Sequence, residues 1–182
     1  MDVLEAITKR RSIRHYATTP VSRETLLGLV EAARHSPSAL NKNTWRFVLV
    51  SRQDSLQRLG EVHRACKWLG SCQAAIAVVN DPVANPYWLE DSSVAACTIW
   101  LAATSMGLGA AWTAMHQSHN AEETKRRQDM VREVLGIPAS LNVPIILGLG
   151  YQQGEPRPRE MAALEDIHCW DRYTLPNGPP AP

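Results

Sequence analysis

A single phenylalanine stands against six tryptophans in this 182-residue chain, its four cysteines include no C-x-x-C pair, and neither sign of charge dominates. Each shortage excludes something. Nineteen basic against eighteen acidic residues leave a net charge of +1, too weak a field to hold a polyanion across the surface, so nucleic acid is not expected as the main partner. Cys66, Cys72, Cys97 and Cys169 lack the paired spacing of a disulfide framework or a zinc knuckle and read as reduced thiols. The first twenty residues mix acids and bases without an apolar stretch, so no signal peptide is expected. The longest apolar-rich segment, Val94 to Met106, is interrupted by Cys97, Thr98, Thr104 and Ser105 and falls short of the ~20 residues a membrane span needs. A soluble, cytoplasmic protein is the expectation.

Several catalytic signatures are missing as well. Gly148-Leu149-Gly150 with Gly154 follows an apolar run as a dinucleotide fingerprint would, but Glu155-Pro156-Arg157-Pro158 cannot begin the helix that fingerprint requires. His116 with His119, and His63 with Cys66, offer two potential metal ligands each and no third, so no metal site is expected. No serine sits in a nucleophile elbow. Trp45, Trp88, Trp100, Trp112 and Trp170 are numerous enough to line a ring-binding pocket, and equally suited to filling core or interface.

The chain length fits one domain over residues 1–175, followed by a proline-rich tail over 176–182. Helices are expected from Asp2 to Lys9, from Arg23 to His35 behind a Ser22 cap, from Ser55 to Leu69 on the spacing of Leu56, Leu59, Val62 and Cys66, from Trp88 to Met106 with apolar residues almost all round, and from Ala121 to Leu135. Strands are expected at Arg46–Val50, as a buried strand, and at Ala74–Val79, Ala110–Met115 and Pro144–Tyr151. Strands alternating with helices predict an α/β layered domain with helices on both faces of its sheet.

Two short segments carry the chemistry. Arg10-Arg11-Ser12-Ile13-Arg14 places three guanidinium groups and a hydroxyl within five residues, enough to surround a small phosphate monoester with charge-assisted bonds; alone, the same residues also make an ordinary solvated turn. Ser36-Pro37-Ser38-Ala39-Leu40-Asn41 is a polar turn leading into Trp45-Arg46-Phe47-Val48-Leu49-Val50, where a loop feeds a strand and binding groups collect.

Read in order, Arg10-Arg11-Ser12-Ile13-Arg14-His15-Tyr16, the stretch from Pro37 to Phe47, Gly107-Leu108-Gly109-Ala110-Ala111-Trp112, and Gly150 to Arg159 resemble the nitroreductase family of FMN-dependent oxidoreductases, over Ile7 to Tyr173. The resemblance implies a nitroreductase-like α+β sandwich around a mixed sheet, and an intertwined homodimer with two FMN molecules at the subunit interface and the Trp88–Met106 helix as a main contact. It implies phosphate and ribityl contacts from Arg10 and Ser12, with Arg11 sharing the phosphate, and Arg14 near the flavin N1 and O2 edge, where a cation favours the reduced flavin. At least one of Arg157 and Arg159 would return to complete the phosphate cradle. Pro37, Ser38, Ala39, Leu40 and Asn41 match the segment that touches the neighbouring subunit's flavin. Asn43 stands where many members have glutamine, with a shorter reach, and Thr44 where many have proline. The Gly107 to Gly109 turn would let the backbone approach the ring, and Thr113 or Ala114 would present a main-chain N–H near N5.

The activity implied is ping-pong: NADH or NADPH reduces the flavin at N5 and leaves, and an electron-poor acceptor such as a nitroaromatic, a quinone or an activated alkene takes its place, with no catalytic side chain required. Little chain lies between Asn80 and Trp88 or after Met115 to cover the pocket, so an open site is expected. A flavin-binding or flavin-modifying protein of the same fold without NAD(P)H turnover is the alternative, and a phosphate-binding module without flavin a further one.

Overall fold

A computed structural model of the chain describes residues 1–156 and 158–174. Strands β1 (Arg46–Val50), β2 (Ala74–Asn80), β3 (Gly109–Ala114) and β4 (Asn142–Gly150) form one sheet in the order β1-β2-β4-β3. Every neighbouring pair is antiparallel, and among the described residues the parallel component of a mixed sheet is confined to one bridge between Ser12 and Ala110. β2 and β4 occupy the middle and are buried almost throughout. Their side chains alternate between two cores. Ile76, Val78, Leu147 and Leu149 meet Leu26, Leu29, Ala95 and Ile99 on one face, whereas Ala75, Ala77 and Ile146 meet Leu56, Leu59, Leu69 and Val131 on the other.

Helix α1 (Val3–Lys9) starts at Asp2, whose carboxylate accepts the Glu5 N–H, and α2 (Arg23–Ala33) starts at Ser22, whose hydroxyl accepts the Thr25 N–H. Both pack on α4 (Trp88–Ser105). Helices α3 (Gln53–Gly60) and α5 (Ala121–Leu135) cover the opposite face. Gly136, at φ 66°, ends α5 in the left-handed region.

Two expectations are corrected. The helix anticipated over Ser55 to Leu69 is two pieces, α3 and a 3-10 stretch, Arg64–Ser71, capped by His63. Leu56, Leu59, Val62 and Cys66 are all buried, so the apolar spacing runs through the break and conceals it. β1 is an edge strand, with Arg46 and Leu49 exposed and only Val50 buried; an apolar run does not tell a centre from an edge. α4 buries Ala95, Ala96, Ile99 and Ala103 but leaves Val94 and Cys97 exposed along one side. No described helix is long and apolar enough to cross a membrane. The tail over 176–182 lies outside the described residues.

Candidate functional site

The arginine-rich segment reaches its place because two glycines make room for it. Gly109 and Gly150 are direct partners across β3 and β4. A Cβ on Gly109 would lie 2.7 Å from the Ile13 side chain, and one on Gly150 would lie 2.8 Å from the Tyr16 ring. Ile13 and Tyr16 fill those spaces and are buried. The segment is fastened by main-chain bonds from the Ile13 N–H to the Ala110 carbonyl at 3.0 Å and from the Ala17 N–H to the Tyr151 carbonyl at 2.8 Å. The Gln153 N–H donates in turn to the His15 carbonyl at 3.1 Å. Residues 12–17 and the chain leaving β4 are thereby laid side by side. The space at Gly109, expected to serve close approach to a cofactor ring, is taken up by Ile13.

The result is a cavity of about 640 Å³, open on one side and lined by Arg10, Arg11, Ser12, Arg14 and Arg159, with Gln152 and Gly154 among the remaining wall. Burial holds the Arg10 guanidinium below its ordinary pKa, and the charges of Arg159 and Arg11 push the same way. Cations gathered by opposite ends of the chain therefore repel one another around an open space, which an anion would relieve. Arg157 lies outside the described residues.

The fork's members are held differently. Arg10 lies over the indole of Trp100, with Cζ 4.4 Å from the ring centroid, and Arg14 lies 5.8 Å over Trp68. Arg11 Nη1 donates to the carbonyls of Thr8 and Arg10 at 2.8 and 2.9 Å, so part of its guanidinium closes the end of α1. Arg10 and Arg159 are the pair that face each other electrostatically, and Ser12 sits on the bridge to Ala110.

Pro37, Ser38, Ala39, Leu40, Asn41 and Asn43 do not line this cavity. They form a separate loop tied to α4: the Asp91 carboxylate accepts the Ala39 N–H and, at 2.7 Å, the Asn85 amide. Leu40, Asn41 and Asn43 have φ of 54°, 53° and 50°, and Leu40 is 84% exposed. Ser38 Oγ donates to Asn43 Oδ1 and accepts the Asn43 N–H, while Asn43 Nδ2 donates to the Asn41 carbonyl. The Asn43 amide thus knits its own loop. Sequence reasoning did not single out Asp91 or Asn85, since one acid and one amide near a helix start carry no distinguishing pattern.

Thr113 and Ala114 lie on the outer strand β3, away from the cavity wall. The Met115 N–H donates to the Pro144 carbonyl at 2.7 Å, and the alternation of an antiparallel ladder then directs the Thr113 N–H to β4 and the Ala114 N–H to the outer edge. The Thr113 hydroxyl meets His63 Nε2 at 2.9 Å on the other face. His63 Nδ1 accepts the Ala65 N–H, which places the proton of the neutral ring on Nε2. Burial, with Arg127 as the next cause, lowers the His63 pKa.

The tryptophans do not converge on one pocket. Trp45 is in the core, Trp170 is 82% exposed, and Trp88 meets His116 edge-on. Burial pushes the Cys72 thiol up to about 12 and raises that of Cys66, so neither is a ready nucleophile. No group of three or more histidines, cysteines or acids gathers to hold a metal ion among the described residues.

An antiparallel sheet between two helical layers, carrying a guanidinium-lined cavity where the N-terminal segment meets the chain after β4, defines an α+β domain with a cationic cavity at its edge. The chain belongs to the nitroreductase family, whose model matches residues 7–66 and 61–151. A protein of Methanothermobacter thermautotrophicus assigned as an NADH dehydrogenase/NAD(P)H nitroreductase is 33% identical over 171 residues, covering 92% of this chain and 86% of that one. A crystal structure under the same assignment from Bacteroides thetaiotaomicron superposes with a TM-score of 0.85 at 30% identity, covering 94% of this chain and 98% of that one. The FMN-dependent nitroreductase of Clostridium difficile gives a TM-score of 0.84 at 28% identity, covering 93% and 99%.

Proposed function

We propose that this protein is an FMN-dependent NAD(P)H oxidoreductase that acts as a cytoplasmic homodimer, each subunit one domain over residues 1–175. The observation that carries the reading is the meeting of Arg10 and Arg159 around one open cavity with Ser12 in its wall. A phosphate monoester of charge near −2 matches that demand, and about 640 Å³ leaves room for the groups attached to it. Arg10 and Arg159 hold the phosphate, Ser12 offers its hydroxyl to phosphate or ribityl chain, and Arg14 supports negative charge on the reduced ring. Bound FMN supplies the electron-carrying chemistry, taking reducing equivalents from NADH or NADPH and passing them to an electron-poor acceptor such as a nitroaromatic, a quinone or an activated alkene. The chain's own task is to bind and orient.

The dimer is supported by exposed apolar side chains on two helices that pack together. Val3 and Leu4 of α1 are 70% and 75% exposed, and Val94 is exposed on α4, the helix that α1 packs against. In this reading those side chains are covered by a second copy, whose Ser38 to Asn43 loop reaches the flavin held by the first. The separation of that loop from its own chain's arginine cavity agrees with such an exchange.

The test is a visible spectrum of the purified protein before and after anaerobic NADH or NADPH. A bound flavin band that bleaches is expected. Bound FMN that stays oxidised would favour a flavin-binding protein without nicotinamide turnover, and a colourless preparation whose melting temperature FMN does not raise would sink the flavin reading. Arg10→Ala removes a charge-assisted contact of about 1.5–3 kcal/mol, so its Kd for FMN is expected to rise by at least about ten-fold.

A further inference from the structure

Trp100 sits on α4, partly buried against the core on that face of the sheet and 6.2 Å from Trp112 between ring centroids. Core filling accounts for the side of the ring that meets the sheet and leaves two directed contacts unexplained. The outer face lies under the Arg10 guanidinium at 4.4 Å. The indole N–H donates to the Arg11 carbonyl at 3.3 Å, the peptide oxygen immediately before Ser12. One side chain, remote in sequence, therefore grips both the cationic group and the backbone of the arginine segment.

We infer that Trp100 is a positioning residue for the phosphate end of the cofactor: its ring face keeps Arg10 aimed into the cavity and its N–H fixes the turn that presents Ser12. This rests on the cavity being the FMN phosphate site. The physical reason is repulsion. Arg10, Arg11, Arg14 and Arg159 line one space, and a long side chain among like charges is driven outward to solvent when the anion is absent. The negative face of an indole offsets that drive at short range. The N–H acts independently, because the next anchor along the segment is the Ile13 N–H on the Ala110 carbonyl; Ser12 is thus held from both sides. Leucine could fill the core here, but it offers neither contact, and phenylalanine offers only the face.

The experiment compares the Kd of FMN with that of riboflavin, which carries the same ring without the phosphate, in the flavin-stripped full-length protein. Trp100→Leu is expected to raise the Kd for FMN by about ten-fold, within what a desolvated cation–π contact supplies, and to change that for riboflavin by less than about two-fold. Trp100→Phe keeps the ring under Arg10 and is expected to fall between wild type and Trp100→Leu, about three-fold weaker for FMN on the lower part of the same range. Because the ring face of Trp100 acts through Arg10 and only its N–H acts on the Ser12 turn, adding Trp100→Leu to Arg10→Ala is expected to cost no more than about the three-fold of the N–H contact, whereas independent sites would multiply the full ten-fold.

Equal weakening of FMN and riboflavin, an unchanged FMN affinity, or multiplication in the double variant would each overturn the assignment. Should Trp100→Leu fail to fold, Trp100→Phe decides it: an FMN affinity equal to wild type overturns the role. An Arg10→Ala variant that leaves the FMN-to-riboflavin ratio untouched refutes instead the phosphate cavity on which the role depends, so the two failures are distinct.

Discussion

The Asp91 carboxylate accepts the main-chain N–H of Ala39 through both oxygens, at 3.0 and 3.2 Å, across 52 residues of sequence. It is buried, and its second partner is the Asn85 amide at 2.7 Å. The bond falls at the start of a loop in which Leu40, Asn41 and Asn43 all have positive φ, a conformation that costs non-glycine residues free energy and persists only where its surroundings impose it. Asp91→Ala would leave two donors without their acceptor in a site too enclosed for easy solvation. A loss of about 3 kcal/mol is expected in urea unfolding, with faster tryptic cleavage after Lys42. A loss below about 1 kcal/mol would mean that the loop holds its shape without α4.

The facing glycines at 109 and 150 yield a second prediction. A methyl group on Gly109 meets Ile13 and one on Gly150 meets Tyr16, each inside normal contact distance. Ile13 and Tyr16 flank Arg14 and follow Arg10 closely, so relief of either clash shifts the arginines. Gly109→Ala and Gly150→Ala are each expected to destabilise the protein by about 1–3 kcal/mol and to weaken FMN binding. Gly136→Ala is the comparison, since that glycine has φ 66° and open space around its missing Cβ; it is expected to cost about 1–2 kcal/mol from backbone strain with FMN affinity retained. Equal flavin binding in all three variants would show that the glycine pair does not set the cavity.

These contacts mark where the sequence stops being legible. The Ser22 cap, the apolar runs of β2 and β4, and the arginine cluster are readable because each is local: a cap, a run or a spacing. The break after Gly60 was not, because Val62 and Cys66 stay on the buried side through the turn, and a period records the face rather than the hydrogen bonding. The edge position of β1 depends on strand order, which no single strand encodes. Arg10 on Trp100, Tyr16 against Gly150 and Asp91 on Ala39 join residues far apart in the chain. For the Arg157 and Arg159 pair the family pattern supplied a link that spacing lacked without choosing between them; the fold brings Arg159 beside Arg10.

The neutral His63 ring makes the remaining prediction one of pH. Its Nδ1 accepts the Ala65 N–H at 3.2 Å while Nε2 faces the Thr113 hydroxyl at 2.9 Å. A second proton would have to enter on Nδ1, against a donor, in a site where burial and then Arg127 already disfavour charge. The folded-state pKa thus lies below the unfolded value of about 6.5. Above that value both states are neutral at this residue and its contribution to stability is complete. As pH falls below it the unfolded chain takes up the proton first, so stability declines until the folded ring is protonated too. Unfolding free energies measured by urea between about pH 5 and 7.5, a window bracketing that unfolded value, are expected to fall on the acid side in the wild type. An asparagine side chain can still cap the 3-10 stretch but does not titrate, so His63→Asn is expected to show a shallower slope over the same interval. Parallel slopes in the two proteins would mean that His63 ionises equally easily folded and unfolded, and that the Ala65 contact does not hold its tautomer.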